Sequence, residues 1–229
     1  MGKIKALSFD MYRTLLDTRD FHEQACSEIL QREGVSSVDP DLFHSRWDEI
    51  YDDVHLEMGE HEFMRERDVA TESLRRLFQE LGIDGDPKAG TDIWLVKYEK
   101  ADLYPEVEEV LHILAAKYPM VIVSNVDNND TGYAMVRDKN LPLLAIITSE
   151  SFRSYKPHGR LFKEALSVLK CPPEEVLHIG DSQRSDVMGA KRAGMLAAWL
   201  NRRSQKPRSD IPLPDYEITS LWELLDLEL

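Results

Sequence analysis

The sequence predicts an α/β fold, a doubly wound and mainly parallel sheet interrupted by an inserted helical domain. Three observations predict it. Short apolar runs alternate with helical periodicities from Tyr104 onward. A charged segment with helical spacing and little strand character separates the first apolar run from the others. Several of the runs end in a polar side chain, as strands do when they deliver groups to the carboxyl edge of a parallel sheet.

The first run, Ile4 to Phe9, leaves no room for a helix before Asp10 and reads as a buried strand, with Thr14 four residues beyond that aspartate. Taken alone, Asp10 also fits a turn residue. Residues 18–103 then read as helical. Phe21, Ala25, Ile29 and Leu30 mark a helix ended by Gly34. Asp39 is an N-cap with Pro40 at the first helical position, opening a helix through Leu42, Phe43, Trp47, Ile50 and Tyr51. Val69, Leu74, Leu77, Phe78 and Leu81 give a third helix stopped at Gly82, and Asp86-Pro87 opens a fourth through Ile93, Trp94, Val96 and Lys97. Residues 57–62, around Gly59, read as a loop. The expected organisation is therefore a core of 1–17 with 104–229 and a helical insertion of 18–103.

Pro105 to Lys117 is helical, with Val107, Val110, Leu111 and Leu114 on one face. Met120 to Val123 is a buried strand followed at once by Ser124-Asn125. Leu143 to Thr148 is another, with Lys156-Pro157 a few residues later and a helix opened by Pro157 through Leu161, Phe162, Ala165, Leu166 and Leu169. Val176 to Ile179 is a strand ending at Gly180-Asp181, where the glycine lets the chain turn sharply. The next helix carries Gly189, Ala190 and Ala193, small enough for close packing on a sheet, and stops at Gly194. Leu196 to Leu200 and Tyr216 to Thr219 read as further strands, and Leu221 to Leu227 as a closing helix.

Bulk properties restrict the function. The 229 residues, 42% hydrophobic and 31% charged, describe an ordinary soluble globular protein, and a net charge of −14 argues against nucleic acid or an anionic membrane as partner. The two cysteines, Cys26 and Cys171, give no disulfide framework and suit a reducing compartment. The apolar run after Lys3 and Lys5 is too short for a signal peptide, and none spans a bilayer, so a cytoplasmic location is expected, as monomer or homodimer.

If the strands are parallel, Asp10, Ser124, the Lys156 loop and Asp181 with Asp186 share one sheet edge. The three carboxylates and Lys156 leave two net negative charges there, and the repulsion calls for a cation. A hard divalent ion with oxygen ligands fits, Mg²⁺ by default. Asp181 or Asp186 also fits a plain helix cap.

These segments resemble the four motifs of the haloacid dehalogenase (HAD) superfamily: Asp10-Met-Tyr-Arg-Thr14, Ser124, Lys156, and Gly180-Asp181-Ser182-Gln-Arg-Ser-Asp186. The resemblance implies a Rossmann-like core with a C1-type α-helical cap in the insertion. It makes Asp10 the nucleophile, Thr14 and Ser124 donors to the transferring group, Lys156 its charge stabiliser and Asn125 a further donor. Mg²⁺ would rest on Asp10, Asp181 and the Tyr12 backbone carbonyl, with Asp186 an outer or additional ligand. The implied reaction is hydrolysis of a small phosphorylated metabolite through an aspartyl-phosphate. One position departs from the phosphatase pattern: Tyr12 stands where those enzymes carry an acid-base aspartate, and Arg13 where they carry glycine. An aromatic at 12 with Ser124-Asn125 is similar to the 2-haloacid dehalogenases, whose halide leaves without a proton, whereas Asp181 is of the Mg²⁺-dependent type. Dehalogenation through an aspartyl ester and a catalytically weak binding module are the alternatives.

Other clusters carry less. His55, Glu57 and His61 fit no tight metal spacing. Arg65, Arg67, Arg75 and Arg76, interleaved with Glu66 and Glu72, read as a solvated face. Arg202 to Arg208 reads as a basic loop too short to argue for nucleic acid.

Overall fold

The computed structural model describes residues 4–18, 20–58 and 62–227; Gly59 and His61 lie outside them. The chain divides into two compact units, Met1–Asp17 with Asp102–Leu229, and Thr18–Ala101. The first holds the strands: β1 (Ala6–Phe9), β2 (Leu16–Asp17), β3 (Asp102–Leu103), β4 (Met120–Ser124), β5 (Ala145–Thr148), β6 (Val176–Gly180), β7 (Leu196–Leu200) and β8 (Tyr216–Ile218). Six of them form a sheet of order β5-β4-β1-β6-β7-β8 in which every neighbouring pair is parallel. Each residue of β1, β4 and β6 is buried, and all three are predominantly apolar, as expected of central strands covered on both faces. The chain steps outward from β1 through β4 to β5, then returns to the other side of β1 at β6. The reversal puts the carboxyl end of β1 at the switch point, where open α/β sheets take their ligands.

A second sheet of two antiparallel strands pairs Leu16 with Leu103 and Asp17 with Asp102. These strands frame the helical insertion, which therefore ends at Ala101 rather than two residues later. Strands of this length carry no readable alternation, and the sequence gives no sign of them.

The helical unit contains α1 (Phe21–Arg32), α2 (Pro40–Glu57), α3 (Glu66–Leu81) and α4 (Pro87–Tyr98). Asp39 caps α2 by accepting from the Asp41 and Leu42 amides, and Asp86 caps α4 in the same way from Lys88 and Ala89. Gly34 and Gly82 leave α1 and α3 with φ of 70° and 67°, which glycine adopts without strain. Trp47, Phe43, Phe78, Leu74 and Ile29 fill the core between the helices. Leu42, expected in the apolar stripe of α2, is instead 71% exposed, because the buried row is Phe43, Trp47, Ile50 and Val54 and Leu42 falls one position off it. None of the described helices is long and apolar enough to cross a membrane.

In the sheet unit, α5 (Val107–Ala115), α6 (Thr131–Asp138), α7 (Ser149–Phe152), α8 (Gly159–Leu169) and α9 (Gly189–Arg192) connect the strands. Three details differ from the sequence reading. Helix α8 starts at Gly159 with His158 before it, because the Tyr155 carbonyl accepts from the His158 amide and puts Lys156-Pro157 in the corner of a turn. Gln183–Met188, ahead of α9, is π-helical, with the Val187 amide reaching the Ser182 carbonyl. Leu221–Leu225 is 3₁₀ rather than α, held by a capping box of Ser220 and Glu223. Helix α6, opened by Asp130, has no signal in the sequence reading because eight residues are too few to show a helical period.

Candidate active site

Asp10 sits one residue past β1, yet its amide still donates to the Ile179 carbonyl at 2.8 Å. The backbone thus stays tied to β6 while the carboxylate clears the sheet. Beyond it the chain folds back, the Leu15 and Leu16 amides both donating to the Met11 carbonyl. Arg13, at the bend, has φ of 60°. That left-handed conformation is why glycine suits the position, and it costs an arginine about 1–2 kcal/mol. Thr14 is fully buried, and its hydroxyl has no hydrogen-bond partner among the described residues.

Lys156 organises what lies around Asp10. Its ammonium, 2% exposed, donates to Asp10 Oδ1 and to Asp186 Oδ1, both at 2.6 Å, and Ser124 Oγ donates more weakly to Asp10 Oδ1 at 3.4 Å. Burial alone would lower the lysine pKa, but the paired carboxylates outweigh it and hold the ammonium above its usual value. Burial, followed by the attraction of Lys156 and the repulsion of Asp186, leaves the Asp10 carboxyl above its ordinary value. Asp186 is buried too, but Lys156 and His178 hold it well below the usual carboxylate range. Its Oδ2 accepts from the Ser182 amide at 2.9 Å, and His178 Nε2 lies 3.2 Å from Oδ1. With Asp186 ionised, His178 donates from Nε2 and accepts at Nδ1 from Ser8 Oγ, 2.9 Å away.

Gly180 serves a different purpose from a sharp turn. A Cβ there would stand 2.2 Å from Asp186 Cγ, so the bare backbone makes room for that carboxylate. Gly180→Ala is expected to push Asp186 off Lys156, costing about 1–3 kcal/mol in a denaturant titration and lowering turnover with it.

Asp181 faces the same group. Oxygens of Asp10, Asp181 and Asp186 all lie within 4.8 Å of one another. Burial pushes the Asp181 carboxyl up to about 7, against the pull of Arg13. Arg13 Nε stands 3.1 Å from Asp181 Oδ2, so the carboxylates meet a second cation beside Lys156 and the expected charge excess is halved. Trp199 of β7 fixes the aspartate from behind, its indole donating to the Asp181 carbonyl at 2.9 Å. An all-oxygen set of three closely spaced carboxylates has the donor chemistry a magnesium ion takes.

Against known proteins, the family profile described as haloacid dehalogenase-like hydrolase matches residues 4–194. The chain belongs to the haloacid dehalogenase-like hydrolases. Glyceraldehyde 3-phosphate phosphatase of Methanopyrus kandleri is 26% identical over 239 aligned positions, covering 98% of this chain and 97% of that protein. A putative HAD-hydrolase of Bacillus subtilis bound to magnesium superposes with a TM-score of 0.74 at 23% identity, over 98% of each chain. L-2-haloacid dehalogenase of Xanthobacter autotrophicus, with chloropropionic acid covalently bound, gives 0.74 and 23% over the same shares. At those identities the two structures speak for the fold alone.

In this HAD-like hydrolase the Tyr12 hydroxyl donates to Asp130 Oδ1 at 2.5 Å, at the start of α6, and Gly132 leaves space for the phenol, since a Cβ there would lie 2.3 Å from it. Asn125 lies against the lysine turn. Its side chain brackets the Lys156 backbone, accepting from the amide at 2.8 Å and donating to the carbonyl at 3.2 Å, which fixes the lysine turn. Arg202, read as part of a basic loop, is turned inward: it donates to Glu106 at 2.7 Å and to the Thr14 carbonyl at 3.3 Å, over the Tyr104 ring. The weaker clusters resolve into ion pairs. His55 Nε2 meets Glu66 at 3.1 Å, Glu57 meets Arg76, and Arg67 meets Asp92. Glu66 is buried rather than part of the solvated face.

Proposed function

We propose that this hydrolase is a Mg²⁺-dependent phosphatase of a small phosphorylated metabolite. The observation that carries the reading is Asp181 beside the Asp10–Lys156–Asp186 group: a third carboxylate would repel the nucleophile and a carboxylate substrate alike unless a cation joins them. The name of the Methanopyrus relative points the same way. Mg²⁺ would rest on Asp10, Asp181 and the Tyr12 carbonyl and would draw charge from the transferring phosphoryl group. Asp186, whose oxygens already serve Lys156, His178 and Ser182, acts from outside that sphere.

Lys156 and Ser124 hold Asp10 Oδ1 and so aim the carboxylate. It attacks phosphorus, the P–O ester bond breaks and the ester oxygen departs as the alcohol with a proton taken from solvent water. A second water then cleaves the aspartyl-phosphate to release phosphate and restore Asp10. Ser124 and Thr14 donate to the phosphoryl oxygens, Thr14 with a hydroxyl that has no partner among the described residues. The helical unit after β2 would be the C1-type cap that selects the substrate and excludes water. Two free cysteines suit a cytoplasmic setting.

Tyr12 favours a second reading. Its phenol is engaged with Asp130, and a phenol is a poorer acid-base group at neutral pH than the carboxyl it replaces, whereas a halide needs no proton to leave. A panel of phosphorylated metabolites and 2-haloacids, run with Mg²⁺ and with EDTA, separates the two. Phosphate release that EDTA abolishes is the expected result. Halide release that survives EDTA makes the chain a dehalogenase, and neither product makes it a binding module.

A further inference from the structure

We propose a second metal site, within the helical unit, formed by His22 of α1 with His44 and Asp48 of α2 and suited to a divalent transition ion such as zinc. One ligand atom from each of the three residues lies within 4.8 Å of the others. Asp48 Oδ2 stands 3.2 Å from His44 Nε2, and Asp48 Oδ1 stands 3.7 Å from His22 Nε2. Ligands bound tetrahedrally to zinc at about 2.0–2.2 Å stand about 3.3 Å from one another. The carboxylate and each imidazole are therefore already at close to the separation a shared ion requires. His44 and Asp48, four apart on one helix face, present their groups side by side, and α1 brings His22 across to them.

A second observation points to a ligand. His44 is 6% exposed, and its Nε2 makes no hydrogen bond among the described residues, although an Asp48 oxygen lies 3.2 Å away. A buried ring nitrogen 3.2 Å from a carboxylate oxygen but without a hydrogen bond to it is open to a partner between the two. His22 has the outer support that metal-bound histidines have. Its Nδ1 lies 2.8 Å from the Tyr98 hydroxyl, so ligation through Nε2 leaves the proton on Nδ1, donated to that oxygen. Trp47, Trp94 and Tyr98 ring His22 at centroid distances of 5.7–5.8 Å, and their faces and edges shield the imidazole from water. The rings of His22 and His44 stack at 4.4 Å, and an ion held between their Nε2 atoms asks that stack to splay.

The donor set also separates this site from the sheet-edge carboxylates. Two imidazoles and one carboxylate suit zinc and its neighbours, whereas an all-carboxylate set suits magnesium. Asp48 is 36% exposed at its side chain, which leaves an approach for the ion and a coordination position for water. The sequence hides the site because it shows only a His-x₃-Asp pair and a histidine twenty-two residues upstream.

The test uses the full-length chain stripped of metal and then supplied with excess Mg²⁺, so that the carboxylate site is occupied while Zn²⁺ is titrated. Bound zinc is measured after desalting, and thermal unfolding is followed in parallel. The expected result is a single zinc per chain and an unfolding midpoint that rises with zinc, since an ion bound only to the folded state stabilises it. Asp48→Asn and His44→Gln should each abolish that rise, and Tyr98→Phe should weaken zinc binding by about 10-fold. If His44→Gln fails to fold, Asp48→Asn decides, because its side chain is partly exposed and no core packing is lost. Zinc uptake unchanged in Asp48→Asn, or lost instead in Asp181→Asn, overturns the assignment. So does an absence of zinc binding in the unaltered chain.

Discussion

Asp10→Asn is expected to end turnover while leaving the fold at least as stable as before. The amide nitrogen and oxygen occupy the space of the carboxylate but cannot form the aspartyl-phosphate, so the rate falls by on the order of 10⁶-fold, the low end of enzymatic acceleration. Stability moves the other way for an electrostatic reason. Burial and Asp186 together outweigh the attraction of Lys156, so the folded protein favours a neutral group at this position. Removing the charge relieves repulsion among three carboxylates that lie within 4.8 Å of one another, and Lys156 keeps Asp186 as its counter-ion at 2.6 Å. Urea unfolding in EDTA measures this without the contribution of any bound ion. A midpoint no lower than that of the unaltered chain is expected. A clear loss of stability would mean that the Lys156–Asp10 contact matters more to the fold than the repulsion does.

The groups that were legible in the sequence are those that end strands. Asp10, Ser124 and Asp181 end or directly follow β1, β4 and β6, while Lys156 and Asp186 come from the segments after β5 and β6. All lie close because these adjacent parallel strands end at one edge. The groups behind them were not legible. His178 sits inside an apolar run and reads as one polar residue in a buried strand, and only the register of β1 on β6 sets it opposite Ser8, 170 residues away. Arg13 was readable as a departure from glycine, but its contact with Asp181 depends on a positive φ that no periodicity reveals. Pro157 misled because proline favours both the first turn of a helix and the corner of a tight turn, and here the turn won. Asn125 was legible as a polar neighbour of Ser124, but its pairing with the Lys156 backbone is a tertiary contact between residues 31 apart. For His178 and Asn125 the missing information is which distant backbone lies alongside; for Arg13 and Pro157 it is the local backbone conformation.

Lys156→Met reverses the sign of the first expectation and so tests the same electrostatics from the other side. Methionine fills much of the lysine stem's volume, but it leaves Asp10 and Asp186 buried without the cation that each meets at 2.6 Å. Breaking a buried ion pair by removing one partner costs about 3–5 kcal/mol, because the remaining charge keeps its desolvation penalty and loses its compensation. Here one lysine serves two carboxylates: Asp186 keeps its donors Ser182 and His178, whereas Asp10 keeps only weaker support, such as Ser124 at 3.4 Å. A loss at the upper end of that range is therefore expected in urea unfolding, together with loss of turnover as Asp10 is no longer aimed. The double variant Asp10→Asn with Lys156→Met should recover part of the stability, since it deletes one of the stranded charges. A coupling of about 0.5–3 kcal/mol between the two sites is the size expected for residues in direct contact. Strict additivity would show that Lys156 stabilises the fold through Asp186 alone, and that its contact with Asp10 serves the reaction rather than the structure.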